Sequence, residues 1–355
     1  MADNILSHIN TILEATGAVP YRIDRLTLSD MLSMRDYSVG VENLVNGLTV
    51  SKDYGNNIAY LDVSSDIQPT NLLYRASSER EFNPFLFTPG ERVAQGVSNV
   101  STRLISDILP SWANTPKRSN SVICSNDYYA SAEYTSYGSR RGGVVYVVIP
   151  PNNAHIMVSP TTDFWYAFSY LRDEVGLKSL DLISSSLLTF FGFFYYIVDR
   201  DLITGVTPAW PDELLKIKKN TQYGESKYIE AVENLFLNGN RSTILHTLSA
   251  IDRALSSRKF MDAARRVYNA QASAEPAFAM GYYILEKKST NPSVSIVKIL
   301  DDLFDPDKNG FDSALYINFV DRIYPSCEIW TDKPCIFVNV NDVEFLTKLY
   351  HKFRG

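Results

Sequence analysis

Cysteine and histidine are scarce in this chain: three of the first and four of the second in 355 residues. Cys124, Cys327 and Cys335 form no C-x-x-C pair, so the spacing offers neither a disulfide framework nor a thiolate metal site. Reduced thiols in a cytoplasmic setting are the expectation. His8, His155, His246 and His351 lack metal-ligand spacing, and no metal is expected. There is no glycine-rich dinucleotide fingerprint, no P-loop, no Ser–His–Asp order, no internal repeat and no low-complexity tract. The start, MADNILSHINTILEATG, has acidic residues and amphipathic spacing where a signal peptide needs a basic start and an apolar block. Net positive charge is also missing. The balance of −6 argues against non-specific nucleic-acid binding by the chain as a whole, while leaving room for a local basic patch.

A membrane-length apolar run is lacking too. Ile183–Val198, ISSSLLTFFGFFYYIV, carries no charge but falls short of the roughly 20 residues needed to span a bilayer. It holds three serines and is followed by Asp199-Arg200-Asp201. A buried core helix or pair of strands is expected there, and no membrane contact.

What is present belongs to a globular protein: 45% hydrophobic, 21% charged and 12% aromatic residues, with 22 tyrosines. The length implies two domains or one domain with a large insertion. Apolar spacing predicts a helix over residues 3–16, stopped at Gly17, and a short one over Leu26–Met34. Residues 39–68 are polar, with turn signals at Tyr54-Gly55-Asn56-Asn57, and read as a loop or hairpin. Short strands are predicted at Asn71–Ala76, Ser121–Ser125, Val144–Ile149 and His155–Val158. Ser77–Pro89 reads as a loop, Ala94–Leu109 as partly helical, and Tyr128–Tyr137 as a short helix. From Asp163 to about residue 320 the pattern is mainly helical. Cys327–Trp330 and Cys335–Val340 then read as strands around the turn Thr331-Asp332-Lys333-Pro334, and Val343–Phe353 as a final helix capped by Asn341 or Asp342.

Three strand-edge residues carry the chemistry: Arg75 in NLLYRAS, Ser125 in SVICSND and Glu328 in SCEIWTDKPCIFVNV. A guanidinium suits a pyrophosphate. A carboxylate suits an oxocarbenium-like transition state.

In this order the three segments resemble the mono-ADP-ribosyltransferase family, in its toxin-like branch with Arg, Ser-Thr-Ser and Glu-x-Glu motifs. The resemblance covers less than half of the chain. SVICSND, followed by Tyr137-Gly138 and VVYVVIPPNNAHI, is its most specific part, and similar segments occur in bacteriophage transferases. It implies an α+β fold with a split mixed or antiparallel sheet and a large helical insertion. Residues 1–68 would form an N-terminal helical and loop region, 69–163 and 317–355 the transferase-like core, and 164–316 the insertion.

For function, the resemblance implies NAD as substrate and a protein or nucleic-acid acceptor. Arg75 would anchor the pyrophosphate, Ser125 or Cys124 would stand for the first serine, and Glu328 would be the catalytic carboxylate. Tyr128, Tyr137 or Trp330 would stack on nicotinamide. Two departures stand out. Cys124-Ser125-Asn126 replaces Ser-Thr-Ser, and Ser326 stands where Glu or Gln would help choose the acceptor. A non-catalytic phage structural or interaction protein and a nucleic-acid-modifying enzyme are the alternatives.

Taken singly, each residue has a plainer role: Arg75 at the surface or in a salt bridge, Ser125 as a helix cap, Glu328 as an exposed strand position. Asp305-x-Asp307-x-Asn309-Gly310 imitates the start of a calcium loop, but Tyr316 holds the twelfth position, so a turn capping a following helix is expected. Arg253, Arg258, Lys259, Arg265 and Arg266, against Asp262, would form a basic helical face, either solvated or turned to RNA, DNA or an acidic protein.

Overall fold

The computed structural model describes residues 22–53, 55–63, 72–77, 83–90, 99–133, 143–200, 211–218, 222, 224–271 and 276–354. The helix expected over 3–16, and Tyr137, lie outside them. The chain divides into two compact units. One comprises Met1–Val93, Thr115–Phe164 and Phe311–Gly355, the other Ala94–Asn114 and Trp165–Gly310.

The first unit is built on strands β1 (Arg22–Arg25), β2 (Leu48–Asp53), β3 (Asn56–Leu61), β4 (Leu73–Ser77), β5 (Phe85–Thr88), β6 (Val122–Ser125), β7 (Val144–Ile149), β8 (His155–Val158), β9 (Asp312–Leu315), β10 (Glu328–Thr331) and β11 (Cys335–Asn339). Nine form one sheet in the order β1-β5-β11-β7-β4-β6-β10-β8-β9, and β2 and β3 form a separate hairpin. Every ladder among the described residues is antiparallel.

Apolar residues cover both faces of this sheet because β7 is apolar at every position, and successive side chains of a strand point to opposite faces. Val145, Val147 and Ile149 pack with Tyr74, Ile336 and Val338 on one face, beneath the helices Ser38–Asn46 and Val343–Arg354. Gly40 makes the first helix's approach possible, since a Cβ there would lie 2.3 Å from Cγ2 of Ile149. Tyr146 and Val148 pack with Leu73, Phe87, Cys124, Ile329 and Phe337 on the other face.

Three expectations are corrected here. Ser77–Pro89 is not all loop: Phe85–Thr88 pairs with both β1 and β11. Four residues between Pro84 and Pro89 give little local signal, so the strand is fixed by its partners. The region before residue 68 is not only helix and loop, because β1 closes one edge of the large sheet. The turn at 305–310 leads into β9, not a helix. Asn309, 1% exposed, donates to the Leu303 and Asp305 carbonyls and accepts from the Tyr170 N–H, so its amide is committed to closing that turn.

Helices make up the second unit. Leu180–Asp199 starts at its Ser179 cap and is long and apolar enough to cross a membrane, yet 72% of its apolar window is buried in the protein. Its two buried serines are paired: Ser184 with Ser101 at 2.6 Å, and Ser186 with the Met280 N–H at 2.9 Å. Gly192 allows the Ile229 backbone to pass, since a Cβ there would sit 2.7 Å from the Ile229 Cα. Lys288, 1% exposed, ties Asp252 (2.8 Å) to the carbonyls of Pro292 and Val294, neutralising a charge that burial would otherwise penalise.

Candidate functional site

β4, β6 and β10 are consecutive in the middle of the sheet, and they carry Arg75, Ser125 and Glu328. The β6–β10 ladder sets Ser125 directly opposite Glu328, followed by Cys124 opposite Ile329 and Ile123 opposite Trp330. Residues paired in this way share a face. Ser125, not Cys124, therefore stands on the Glu328 face.

Cys124 belongs to the opposite face, where its Sγ donates to the Ile329 carbonyl at 3.4 Å and burial pushes its thiol up to about 12. Such a thiol is a poor nucleophile.

Ser125 Oγ donates to the Cys327 carbonyl and accepts from the Asp127 N–H, both at 3.0 Å. It is not the cap of the helix Tyr128–Glu133. Asp127 fills that role, accepting from the Tyr129 and Ala130 N–H groups at 2.8 and 3.2 Å. Ser326, two residues before Glu328, donates to the other Asp127 oxygen at 2.8 Å. Asn126 completes the clasp, donating to the Pro325 carbonyl and accepting from the Cys327 N–H. Through these bonds the serine motif holds the start of β10 in place.

Glu328 is 7% exposed. Both of its oxygens are bonded to Arg118, from Nε to Oε1 at 2.7 Å and from Nη2 to Oε2 at 3.2 Å. The guanidinium in turn lies 4.7 Å from the Phe164 ring centroid, and Phe164 packs edge-on against Trp330. Trp330 is buried, contacts Phe311 on another side, and donates its indole N–H to the Pro116 carbonyl. It braces this pair, and its ring is not open to a ligand.

Arg75 occupies a different place. The β4–β6 ladder consists of the single pair Tyr74–Ser125, and beyond it the strands part. Arg75 spans the opening, donating from Nη1 to the Ile123 carbonyl at 2.6 Å, with its guanidinium carbon 5.9 Å from the Phe87 ring centroid. Tyr74 pairs with Ser125, so its neighbour Arg75 leaves the opposite face, the one that holds Cys124, Tyr146 and Phe87. The three predicted residues thus share neighbouring strands, but only Ser125 and Glu328 share a face.

Sequence reasoning missed two residues. Arg118 lies seven positions ahead of Ser125 in the same segment, but nothing local ties it to a carboxylate 210 residues away. Tyr74 is fully buried on the Ser125 face, and its hydroxyl finds no hydrogen-bond partner among the described residues. Burial pushes that phenol far up, so it stays a proton donor. Half-buried Tyr128 meets it edge-on at 5.7 Å. The remaining histidine near the segment, His155, is exposed at the start of β8. Among the described residues no His, Cys, Asp or Glu group is arranged to hold a metal.

Fold and site together define a mixed α/β protein with a large antiparallel sheet and a buried Arg–Glu–Ser arrangement at its centre. No family profile, curated protein or solved structure matches the chain.

Proposed function

We propose that the chain is an ADP-ribosyltransferase, which breaks the nicotinamide–ribose bond of NAD and passes ADP-ribose to a macromolecular acceptor. The observation that carries this reading is the order of the central strands. β4, β6 and β10 bring the Arg, Ser and Glu motifs side by side, with Ser125 opposite Glu328, from segments 50 and about 200 residues apart.

In this reading the C–N glycosidic bond breaks and its electron pair leaves with nicotinamide. The Glu328 carboxylate stabilises the positive charge left on the ribose. The acceptor nucleophile then bonds to that carbon and loses a proton. Ser125 fixes the strand that presents Glu328. The pyrophosphate anchor passes from Arg75 to Arg118, because Arg118 is the guanidinium on the Glu328 face. The diphosphate competes with Glu328 for that fork and frees the carboxylate as it binds.

Incubation with labelled NAD and cell extract tests the reading. The wild-type chain should release nicotinamide and label an acceptor, and Glu328→Gln should abolish both. Release that survives in the variant would overturn it.

One observation favours a second reading, a non-catalytic scaffold of the same fold. Both Glu328 oxygens and the Ser125 hydroxyl are already satisfied within the protein. A scaffold shows no thermal shift with NAD, whereas a ligand at 100 times its dissociation constant stabilises by about 2.7 kcal/mol.

A further inference from the structure

In the second unit, the helix Arg258–Gln271 follows directly on Arg241–Leu255. Phe260, Met261 and Ala264 are buried, and Arg258, Lys259, Asp262, Arg265 and Arg266 are exposed. Positions three, four, seven and eight apart fall on one helical face, so these four cations form one stripe with a single carboxylate among them. Arg253, exposed in the last turn of the preceding helix, extends the same segment. No salt bridge joins any of the five to a carboxylate among the described residues. Asp252, next to Arg253 in sequence, is already committed to Lys288 and to the Ile296 N–H. The stripe belongs to a chain whose net charge is −6, so general basicity does not account for it.

We propose that this stripe binds the sugar–phosphate backbone of a nucleic acid. Four of the five cations are arginines, whose planar forks match phosphate. Arg258 to Arg266 spans eight residues, about 12 Å along the helix. That length covers about three phosphates of one strand, spaced about 3.4 Å along a duplex axis. An acidic protein is the poorer fit, because protein interfaces depend on buried apolar anchors. No large apolar side chain is exposed between residues 253 and 266. Contacts of this kind position a polymer without reading its sequence.

Fluorescence anisotropy of the full chain with a labelled 20-base-pair DNA duplex, between 50 and 200 mM NaCl, tests the proposal. Binding should fall with salt at a log–log slope of about −3, as about three phosphate contacts require. The triple change R258E/K259E/R266E should weaken binding at 50 mM NaCl at least 30-fold. If those reversals disturb folding, R258Q/K259Q/R265Q/R266Q should weaken it at least tenfold with an unchanged melting temperature. Three results would each overturn the assignment: no binding at 50 mM NaCl, equal affinity in the variants, or tighter binding of poly-glutamate than of duplex. Labelled single-stranded RNA of the same length should compete, since the contacts are to the backbone.

Discussion

Arg118 grips Glu328 through two parallel hydrogen bonds across 210 residues of sequence, and the pair is almost wholly buried, with side chains 15% and 9% exposed. A buried fork of this kind is costly to break and inexpensive to replace, since the loss of one partner strands the other charge. Arg118→Ala should therefore destabilise the protein by roughly 3–5 kcal/mol, and an apolar pair at both positions should recover most of that loss. Urea denaturation of the single and double variants checks this. Equal destabilisation by both would show that the fork carries no special weight.

The two arginines should separate in kinetics. Arg118→Lys keeps the charge but loses the fork, and should raise the KM for NAD about tenfold while the chain stays folded. Arg75→Gln removes a charged hydrogen bond to a strand carbonyl. It should cost roughly 1.5–3 kcal/mol of stability and leave KM unchanged. The reverse pattern would return the anchor role to Arg75.

Alkaline pH should loosen the protein. Burial pushes the Cys124 and Cys327 thiols up to about 12, and burial with nearby Cys335 and Asp36 does the same to the Tyr37 phenol. Each of these groups holds its proton more tightly folded than unfolded. Their stabilisation is complete below the ordinary thiol value of about 8.5 and is lost as pH rises through about 12. Urea midpoints should fall steadily from pH 8.5 to 11, and native thiols should resist alkylation at pH 7.5. A flat midpoint across that range would contradict the burial.

Gly192→Ala should destabilise the second unit by about 1–3 kcal/mol, because the added methyl meets the Ile229 backbone at 2.7 Å and only a shift of two packed helices can accommodate it. A neutral result in thermal denaturation would mean that the helices slide apart freely.

Lys288→Ala should cost more, roughly 3–5 kcal/mol, since it leaves Asp252 and two carbonyls without their shared donor. Asp252→Asn in the same background should restore part of the loss, as it removes the uncompensated charge. No recovery would place the cost in packing.

Much of the central sheet could be read from local pattern. The run VVYVVI and the turn at Thr331–Pro334 state their own structure, whereas the uncharged run 183–198 fits a helix or a pair of strands equally and is one helix, Leu180–Asp199. FLFT was too short to announce itself and became a strand only between two partners. The candidate residues divide in the same way. Residue type and chain order singled out Arg75, Ser125 and Glu328, since guanidinium, hydroxyl and carboxylate carry their chemistry wherever they stand.

Which of them meet was decided by register, which is a property of strand pairs and not of single strands. One ladder set Ser125 opposite Glu328 and put Cys124 on the other face. One isolated pair at Tyr74 turned Arg75 to the opposite face, and Arg118, at the start of the short helical turn Arg118–Asn120, is the guanidinium that meets Glu328. The sequence by itself determined the inventory of groups and the strands that bear them. Only the tertiary structure decided their partners, because a hydrogen bond between residues 118 and 328 exists solely where two distant segments are brought within 3 Å.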